Sequence, residues 1–510
     1  SDIENTILEN NIFGVDLNEE SVEIAKLSLW LRTAQPRRKL NDLSSNIKCG
    51  NSLIDNKKVA GDKAFNWETE FPQVFEKDGF DVIIGNPPYG AKLSKEVQGY
   101  LNKEYIKGGS ETVISFLKLS YDLLKTHGEF GFIIPKSFSF SSNYSEIRSF
   151  LVSDITTIVD CKKVWKEVKL EQVIVQFKKL INTTHFDSSI LENQEIKKIG
   201  EISKKTFNEF GFLLNGISNS ELKIAYKLLN SNKFINEIAT NQRGGPLQKL
   251  ISENGDVKVL AGANIQRKGI KGFKGYANVK EIGGDKKNFI SSNSILVQNI
   301  VSHINNPVEH IKIISCAPDK NLIGNTALLD TINQIKFDDS VSNEVMVEIL
   351  NSKLINWFCF RFIFGKAIRT MHFDNAVTRR IPVPIEINDN LFLAYINKKK
   401  LLLIKMNKNI ELFLKYISEL HSIDISSNKK IMSWYKYDFK IFIKELKKEL
   451  NNKINSDEEF RLFEIFDTKK NEVITSQEQL NELDDILNDL IYQSFNLNKD
   501  DITLINKQMP

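Results

Sequence analysis

The stretch FDVIIGNPPYG, residues 80–90, constrains the fold of the first part of this chain more than any other. Its apolar run is typical of a buried strand, whereas the two prolines that follow have no backbone N–H to continue a sheet. Each proline also favours an extended backbone at the residue before it. We therefore predict a strand that ends at Gly85, followed by a rigid extended loop from Asn86.

Strand and helix patterns alternate along the first 180 or so residues. The predicted strands are 11–17, 46–54, 80–85, 129–135, 155–161 and 171–179, and one predicted helix spans 18–34 with Asn18 as its N-cap. This alternation predicts an α/β fold with a doubly wound sheet. Ligands of such sheets bind beyond the carboxyl ends of the strands.

The remaining residues divide into three further segments. The polar stretch 181–198 is typical of a linker, and 199–388 contains short β-like runs and loops that indicate an α+β domain. From 389 to 510 the chain is rich in Lys, Glu, Leu and Ile at helical spacing. We predict domains at 1–180, 199–388 and 389–510, of which the last is helical.

Composition narrows the functional classes. Sixty-nine Lys and Arg face 65 Asp and Glu, so the net charge of +4 does not by itself indicate nucleic-acid binding. The four cysteines are far apart and form no CxxC pair, which gives no signal for a zinc site or a disulfide framework. We predict no metal site, no membrane span and a cytoplasmic location.

The loop after Gly85 presents hydrogen-bond acceptors. Neither Pro87 nor Pro88 can donate a backbone hydrogen bond, so the Asn86 side-chain oxygen and the Pro87 carbonyl are offered to a ligand. Two rigid acceptors suit a planar –NH2 group, and Tyr89 adds a flat face for a ring such as adenine. A proline-rich turn after a core strand is the alternative explanation.

Three other residues fit a nucleotide site. Asp16 ends the predicted strand 11–17, where a carboxylate commonly binds ribose hydroxyls, although capping would also explain it. Asn51 ends the next strand and could face a cofactor's adenine ring, or simply form a turn. Trp165 precedes a strand, where it could stack on a base opposite Tyr89 or belong to the core.

Together these segments resemble the γ-class adenine-N6 DNA methyltransferases, particularly those of type IIG restriction–modification enzymes. The methyltransferase motifs of that family are similar to IFGVDLNEESVEIAKLSLWL, CGNSLI, DVIIGNPPYG, GEFGFIIPKSF and VWKEVKLEQVIVQF. Its target-recognition motifs are similar to KVLAGANIQR, SILVQNIVSHI and GNTALLDTINQI, and to the segment from EILNSKLINWF to RRIPVPI.

The resemblance implies a Rossmann-like methyltransferase that uses S-adenosylmethionine, followed by a domain that reads double-stranded DNA. Asn86, Pro87, Pro88 and Tyr89 would be catalytic, with Tyr89 and Trp165 stacking on the target adenine. Asp16 would bind the cofactor ribose and Asn51 its adenine.

The sequence departs from the family at its beginning. The family carries a glycine-rich cofactor motif upstream of the acidic strand, and no such loop precedes IFGVDL here. We therefore expect an incomplete N-terminus or a partner chain that supplies the strand. We also find no convincing nuclease motif.

A basic segment supports DNA binding. Residues 258–287 contain eight Lys or Arg against two Asp or Glu, together with six glycines. Excess positive charge beside glycines suits contact with phosphates. Our candidates for DNA contacts are Arg243, Arg267, Lys268 and Lys271, although each charge could simply be a solvated one.

Two other functions remain open. Glutamine methyltransferases that modify proteins share the NPPY motif, because an amide presents the same –NH2 group, but they lack the long segment that follows here. A non-catalytic DNA-recognition subunit would leave the intact NPPY motif unexplained.

Overall fold

The structure is a computed structural model of the 510-residue chain. It describes residues 3–33, 43–90, 93–106, 111–164, 170–230, 233–338, 342–367 and 371–509. Contacts divide the chain into two compact units. Unit 1 comprises Ser1–Leu222 with Gly365–Ile368, and unit 2 comprises Lys223–Phe364 with Arg369–Pro510. Both units contain helices and strands, which confirms the predicted mixture of the two.

Unit 1 contains a mixed six-stranded sheet. The strands are β1 (Gly14–Asp16), β2 (Ile47–Cys49), β3 (Phe80–Gly85), β4 (Leu124–Pro135), β5 (Ile155–Lys162), β6 (Gln172–Lys178), β7 (His185–Glu192) and β8 (Glu195–Ser203). The sheet order is β3-β4-β6-β5-β7-β8, while β1 and β2 pair in parallel. Because β3 is parallel to β4 and β6 is antiparallel to both β4 and β5, the carboxyl ends of β3, β4 and β5 lie at the same end of the sheet.

Helices flank these strands. They are α1 (Ile3–Asn10), α2 (Glu19–Thr33), α3 (Lys57–Ala60), α4 (Trp67–Glu70), α5 (Pro72–Phe75), α6 (Lys95–Glu104), α7 (Thr112–Leu123), α8 (Ser145–Leu151), α9 (Thr206–Phe210) and α10 (Asn219–Leu229), the last of which crosses the boundary between the units. The Asn18 side chain accepts a hydrogen bond from the Ser21 backbone N–H at 3.1 Å, which confirms the predicted N-cap of α2.

Most of the predicted linker 181–198 belongs to the sheet, since β7 begins at His185 and β8 at Glu195. Within this range, β7 pairs in parallel with β5 and in antiparallel fashion with β8. The sequence pattern did not indicate this strand because two of its buried residues, Ser188 and Ser189 of β7, are polar. The Ser188 hydroxyl is satisfied there by the Ile217 backbone N–H at 3.2 Å.

Unit 2 contains several small sheets. Its strands are β9 (Lys233–Phe234), β10 (Ala239–Arg243), β11 (Val257–Leu260), β12 (Ile265–Gln266), β13 (Gly269–Ile270), β14 (Gly275–Ala277), β15 (Ser294–Gln298), β16 (Ile300–Ile304), β17 (His310–Lys312), β18 (Ser315–Cys316), β19 (Thr326–Leu328), β20 (Ile332–Phe337), β21 (Met371–His372) and β22 (Pro382–Val383). The largest sheet has the order β10-β20-β15-β18, and a three-stranded sheet has the order β14-β11-β19.

The end of unit 2 is helical. The helices of the unit are α11 (Ile235–Ile238), α12 (Val279–Ile282), α13 (Asn343–Asn351), α14 (Lys353–Phe358), α15 (Asn375–Thr378), α16 (Asp389–His421), α17 (Lys429–Met432), α18 (Phe439–Glu449), α19 (Ser456–Ser494) and α20 (Lys499–Gln508). Helices α16 and α19 share a core that includes Phe413, Trp434 and Phe466. Among the described helices, none combines the length and the apolar character that a bilayer span requires.

Candidate functional site

The loop that follows β3 is held in place at its backbone. The hydroxyl of Thr112, the first residue of α7, donates to the Pro88 carbonyl. Pro87 is buried, whereas Asn86 is exposed and Tyr89 is half-buried. The loop therefore combines a fixed backbone with an accessible amide side chain, as its proline pair predicts.

The last residue of β3, just before this loop, has to be a glycine. A Cβ atom on Gly85 would lie 2.8 Å from the Phe132 ring of the neighbouring strand β4. The absence of a side chain at Gly85 lets β3 pair closely with β4 at the point where the loop begins. The position of Asn86 is thus defined by strand pairing on one side and by Thr112 on the other.

Asp16 and Asn51 lie at the same end of the parallel pair β1 and β2. The Gly50 backbone N–H donates to the Asp16 carbonyl at 2.9 Å, which brings the two strand ends together. Asp16 is exposed, and its Oδ1 accepts from the Asn18 N–H at 2.8 Å. The Asn51 Oδ1 accepts from the Leu53 N–H at 3.2 Å. The structure thus places the two predicted cofactor residues side by side in local turns.

A shared aromatic core joins the beginnings of β1 and β3. Phe13, just before β1, contacts Phe80, the first residue of β3, with ring centroids 5.9 Å apart. Phe71 is fully buried and packs on both rings. The two strands that carry Asp16 and Asn86 therefore start from one packed cluster.

A buried ion pair lies at the end of the sheet where β4 and β5 finish. Lys136 and Asp160 are each 2% exposed, and Lys136 Nζ lies 2.9 Å from Asp160 Oδ2. Burial favours the neutral carboxyl, but Lys136 and Lys366 outweigh it and hold the pKa of Asp160 below its ordinary value. Lys136 also donates to the Lys366 carbonyl at 2.8 Å. A charged network thus stabilises the same end of the sheet as the loop of Asn86.

The sequence profile of one protein family matches this part of unit 1. Residues 10–165, which include Asp16, Asn51 and Asn86, match the Eco57I restriction-modification methylase family. This segment is an Eco57I-type methylase domain. Trp165, the last residue of the match, lies outside the described residues.

Individual relatives match the methylase domain over part of their length. The chain is 41% identical over 93 residues to RM.MjaORFECS2P of Methanocaldococcus jannaschii, and 28% identical over 168 residues to RM.Eco57I of Escherichia coli. Both names describe type II restriction enzymes and methyltransferases. These matches cover 18% and 29% of this chain, but only 8% and 16% of the two relatives.

Two further comparisons reach beyond the methylase domain. The solved structure of the type IIL restriction-modification enzyme MmeI in complex with DNA aligns with 91% of this chain and 66% of its own, at 12% identity and a TM-score of 0.48. Residues 389–491 match a domain family of unknown function.

The four candidate DNA contacts, all in unit 2 rather than in the methylase domain, differ in their surroundings. Arg243 and Lys271 are exposed. The Arg267 guanidinium donates through Nε and Nη2 to the Ile313 carbonyl at 3.0 and 2.8 Å, and burial lowers its pKa to about 10. Lys268 lies 3.4 Å from the Gln477 side-chain oxygen. Arg243 and Lys271 are therefore more accessible than Arg267.

Arg243 lines a polar cavity that the sequence analysis missed. This amide pocket has a volume of about 280 Å³, and its walls include Asn241, Arg243, Asn299, Asn333, His372 and Asp374. A usable signal was present in the sequence, since amides interrupt otherwise apolar strands at 299 and 333. Their position beside Arg243 depends on the pairing of β10 with β20, in which Arg243 lies opposite Asn333, 90 positions later, and the sequence does not reveal this pairing.

Proposed function

We propose that this chain transfers a methyl group from S-adenosylmethionine to the exocyclic amine of an adenine in DNA, and that unit 2 recognises the DNA sequence. The observation that supports this most is the exposed Asn86 amide on a fixed loop within a methylase domain. The proposal includes a Rossmann-like arrangement of the sheet in unit 1 and a recognition role for residues 199–388.

The loop chemistry explains why an amine would be the substrate. The lone pair of the adenine amine is delocalised into the ring, so the nitrogen is a poor nucleophile. In the proposed complex the Asn86 side-chain oxygen accepts one N–H, and the Pro87 carbonyl accepts the other. Both hydrogen bonds draw the nitrogen towards a tetrahedral shape, which frees its lone pair by electrostatic preorganisation rather than by general-base catalysis.

Tyr89 and Trp165 would hold the base. Tyr89 is half-buried beside the loop, as a ring that stacks on an extruded base needs to be. Trp165 would stack on the opposite face, a role that rests on the sequence motif. A base that leaves the duplex loses its stacking on its neighbours, and stacking on aromatic side chains replaces part of it.

The residues at the end of β1 and β2 fit the proposed cofactor. Asp16 presents an exposed carboxylate, which suits ribose hydroxyl donors, and Asn51 presents an amide, which can bond to the edge of an adenine ring. S-adenosylmethionine, when bound, supplies an electrophilic methyl group. The residues of unit 1 then have to bind the cofactor and orient the amine.

Labelled methyl transfer tests this function. The purified chain is incubated with unmodified duplex DNA and S-adenosylmethionine carrying a labelled methyl group, and the DNA is digested to nucleosides. We expect the label in N6-methyladenine. Label in methylcytosine would reject adenine as the target, and label in added protein substrates would favour a glutamine methyltransferase. DNA binding without any transfer would favour a recognition subunit.

A further inference from the structure

Polar side chains gather on one face of the four-stranded sheet of unit 2. Arg243 of β10 lies directly opposite Asn333 of β20, and opposite residues of paired strands share a face. Asn241 lies on the same face because it is two residues before Arg243. The next position on this face of β20, Ile335, is fully buried. The face therefore changes from apolar to polar at this end.

A chain of hydrogen bonds orients the amides. Asn333 Nδ2 donates to Asn299 Oδ1 at 2.9 Å, and Asn299 Nδ2 lies 3.0 Å from His372 Nδ1. An amide nitrogen can only donate, so His372 Nδ1 is the acceptor of this hydrogen bond. Asn299 and Asn333 are each 2% exposed. These three side chains form a rigid wall rather than a mobile surface.

The β10 side of the pocket offers groups that can bind a ligand. Asn241 Nδ2 donates to the Phe373 carbonyl at 3.3 Å, whereas Asn241 Oδ1 is shielded from solvent and accepts no hydrogen bond. Arg243 Nε donates to the Asp330 carbonyl at 2.5 Å, its Nη2 lies 3.7 Å from Asp330 Oδ2, and its side chain is 53% exposed. The pocket thus places a buried acceptor two residues from an accessible guanidinium.

These groups select among ligand classes. An apolar ligand would leave the buried Asn241 oxygen without a hydrogen bond, and a phosphate would face that oxygen and the Asp374 carboxylate. A cation would find one carboxylate, whose Oδ1 already accepts from the Val377 N–H at 3.1 Å. A nucleobase edge, with an amine beside acceptor atoms, matches both the donor and the acceptor.

We propose that the amide pocket reads a G·C base pair in the DNA site. Arg243 donates to guanine N7 and O6, and the Asn241 side chain turns its shielded Oδ1 towards the cytosine amine as the DNA binds. Guanine offers two acceptors and cytosine one donor in the major groove, a pattern that other base pairs do not present. This assignment rests on the proposed DNA recognition by unit 2. It specifies which residues determine one base pair of the recognised DNA sequence.

Selection from a randomised duplex library tests the pocket without relying on methyl transfer. The full chain and its Arg243→Ala and Asn241→Ala variants bind the library, and the bound DNA is sequenced. We expect the chain to select a motif with one G·C position at which each variant loses roughly 5- to 150-fold of its preference. The preference at other positions should not change. Arg243→Lys keeps the positive charge but not the two parallel N–H donors of the guanidinium. It should therefore lose the preference for G·C at the same position.

The control is Lys336→Ala, on the opposite face of β20, which removes an exposed charge from the same sheet. It should leave the selected motif unchanged. The proposal that the amide pocket reads a G·C pair would be rejected if the Arg243 and Asn241 variants bound all DNA sequences equally more weakly. It would also be rejected if these variants selected the same motif as the unaltered chain. A chain that selects no motif would overturn both the pocket and DNA recognition. A motif that is selected but not methylated would reject only the methyl-transfer proposal.

Discussion

The hydroxyl of Thr112 donates to the carbonyl of Pro88, so the first turn of α7 holds the loop that presents Asn86. Thr112→Val removes the donor while it keeps the volume. We expect kcat for methyl transfer to fall about 5- to 100-fold with little change in KM for DNA, because a small displacement of the loop disturbs orientation rather than binding. Thr112→Ser keeps the hydroxyl and should retain most of the rate. An unchanged kcat for the valine variant would show that this hydrogen bond does not position the loop.

Asn86→Ala should abolish methyl transfer and leave DNA binding nearly intact. Loss of one preorganised hydrogen-bond partner typically lowers a rate by about 100- to 1000-fold. Because Asn86 is exposed, the substitution should leave the thermal stability unaffected. Single-turnover rates and the Kd for DNA separate the two effects. Equal losses in both would reject a catalytic role for Asn86.

The Lys136–Asp160 pair predicts acid sensitivity of unit 1. The pKa of Asp160 is lower in the folded chain than in the unfolded chain, so its carboxylate stabilises the fold above about pH 4 and ceases to do so as the pH falls further. Asp160→Asn removes the nearer of the two carboxylates around Lys136 and leaves Glu171 at 3.7 Å, so it should reduce the free energy of unfolding at neutral pH by about 1–3 kcal/mol. It should also flatten the fall in Tm on acidification.

A surface pair serves as the control for this prediction. Asp81 pairs with Lys125, and both side chains are exposed. Asp81→Asn should change stability by about 0–1 kcal/mol and leave the pH profile of Tm unchanged. If both variants responded alike to acid, the buried network would not be the source of the acid sensitivity.

Local chemistry explains which parts of the fold were predictable. The predicted strand 80–85 matches the bounds of β3, because an apolar run followed by two prolines defines both the strand and its end, but the expected burial is wrong, since Val82 and Ile84 are exposed. The N-cap of α2 follows equally from Asn18 alone. The pattern at 181–198 misled, because buried serines in β7 resemble the polar residues of a linker.

Long-range pairing explains what the sequence could not show. Arg243 was a candidate DNA contact on charge alone, but its neighbour Asn333 is brought to it by the register of β10 and β20. Similarly, Arg267 has the charge of a DNA contact, while the structure directs its guanidinium to the Ile313 carbonyl. The sequence alone cannot distinguish an exposed arginine from one whose guanidinium is bound to a backbone carbonyl.

Trp165→Ala should weaken binding to DNA with a paired target adenine more than binding to DNA in which that adenine is mismatched. A mismatched base leaves the duplex more easily, so it depends less on an aromatic side chain that holds it outside. We expect a loss of roughly 5- to 150-fold for the paired site, and Trp165→Phe should retain most of the affinity. Equal weakening of both sites would show that Trp165 does not hold the extruded base.

Lys271 and Arg267 should respond differently to truncation. Arg267→Ala removes two hydrogen bonds to the Ile313 carbonyl, so it should lower the stability of unit 2 by about 1–3 kcal/mol. Lys271→Ala removes an exposed charge and should leave Tm unchanged. If Lys271 contacts a phosphate, its variant should bind DNA more weakly at low salt, and the slope of log K against log salt should decrease by about 0.9. Thermal unfolding and a salt titration of DNA binding measure the two effects. A reduced salt slope for Arg267→Ala at unchanged stability would instead place Arg267 at the DNA backbone.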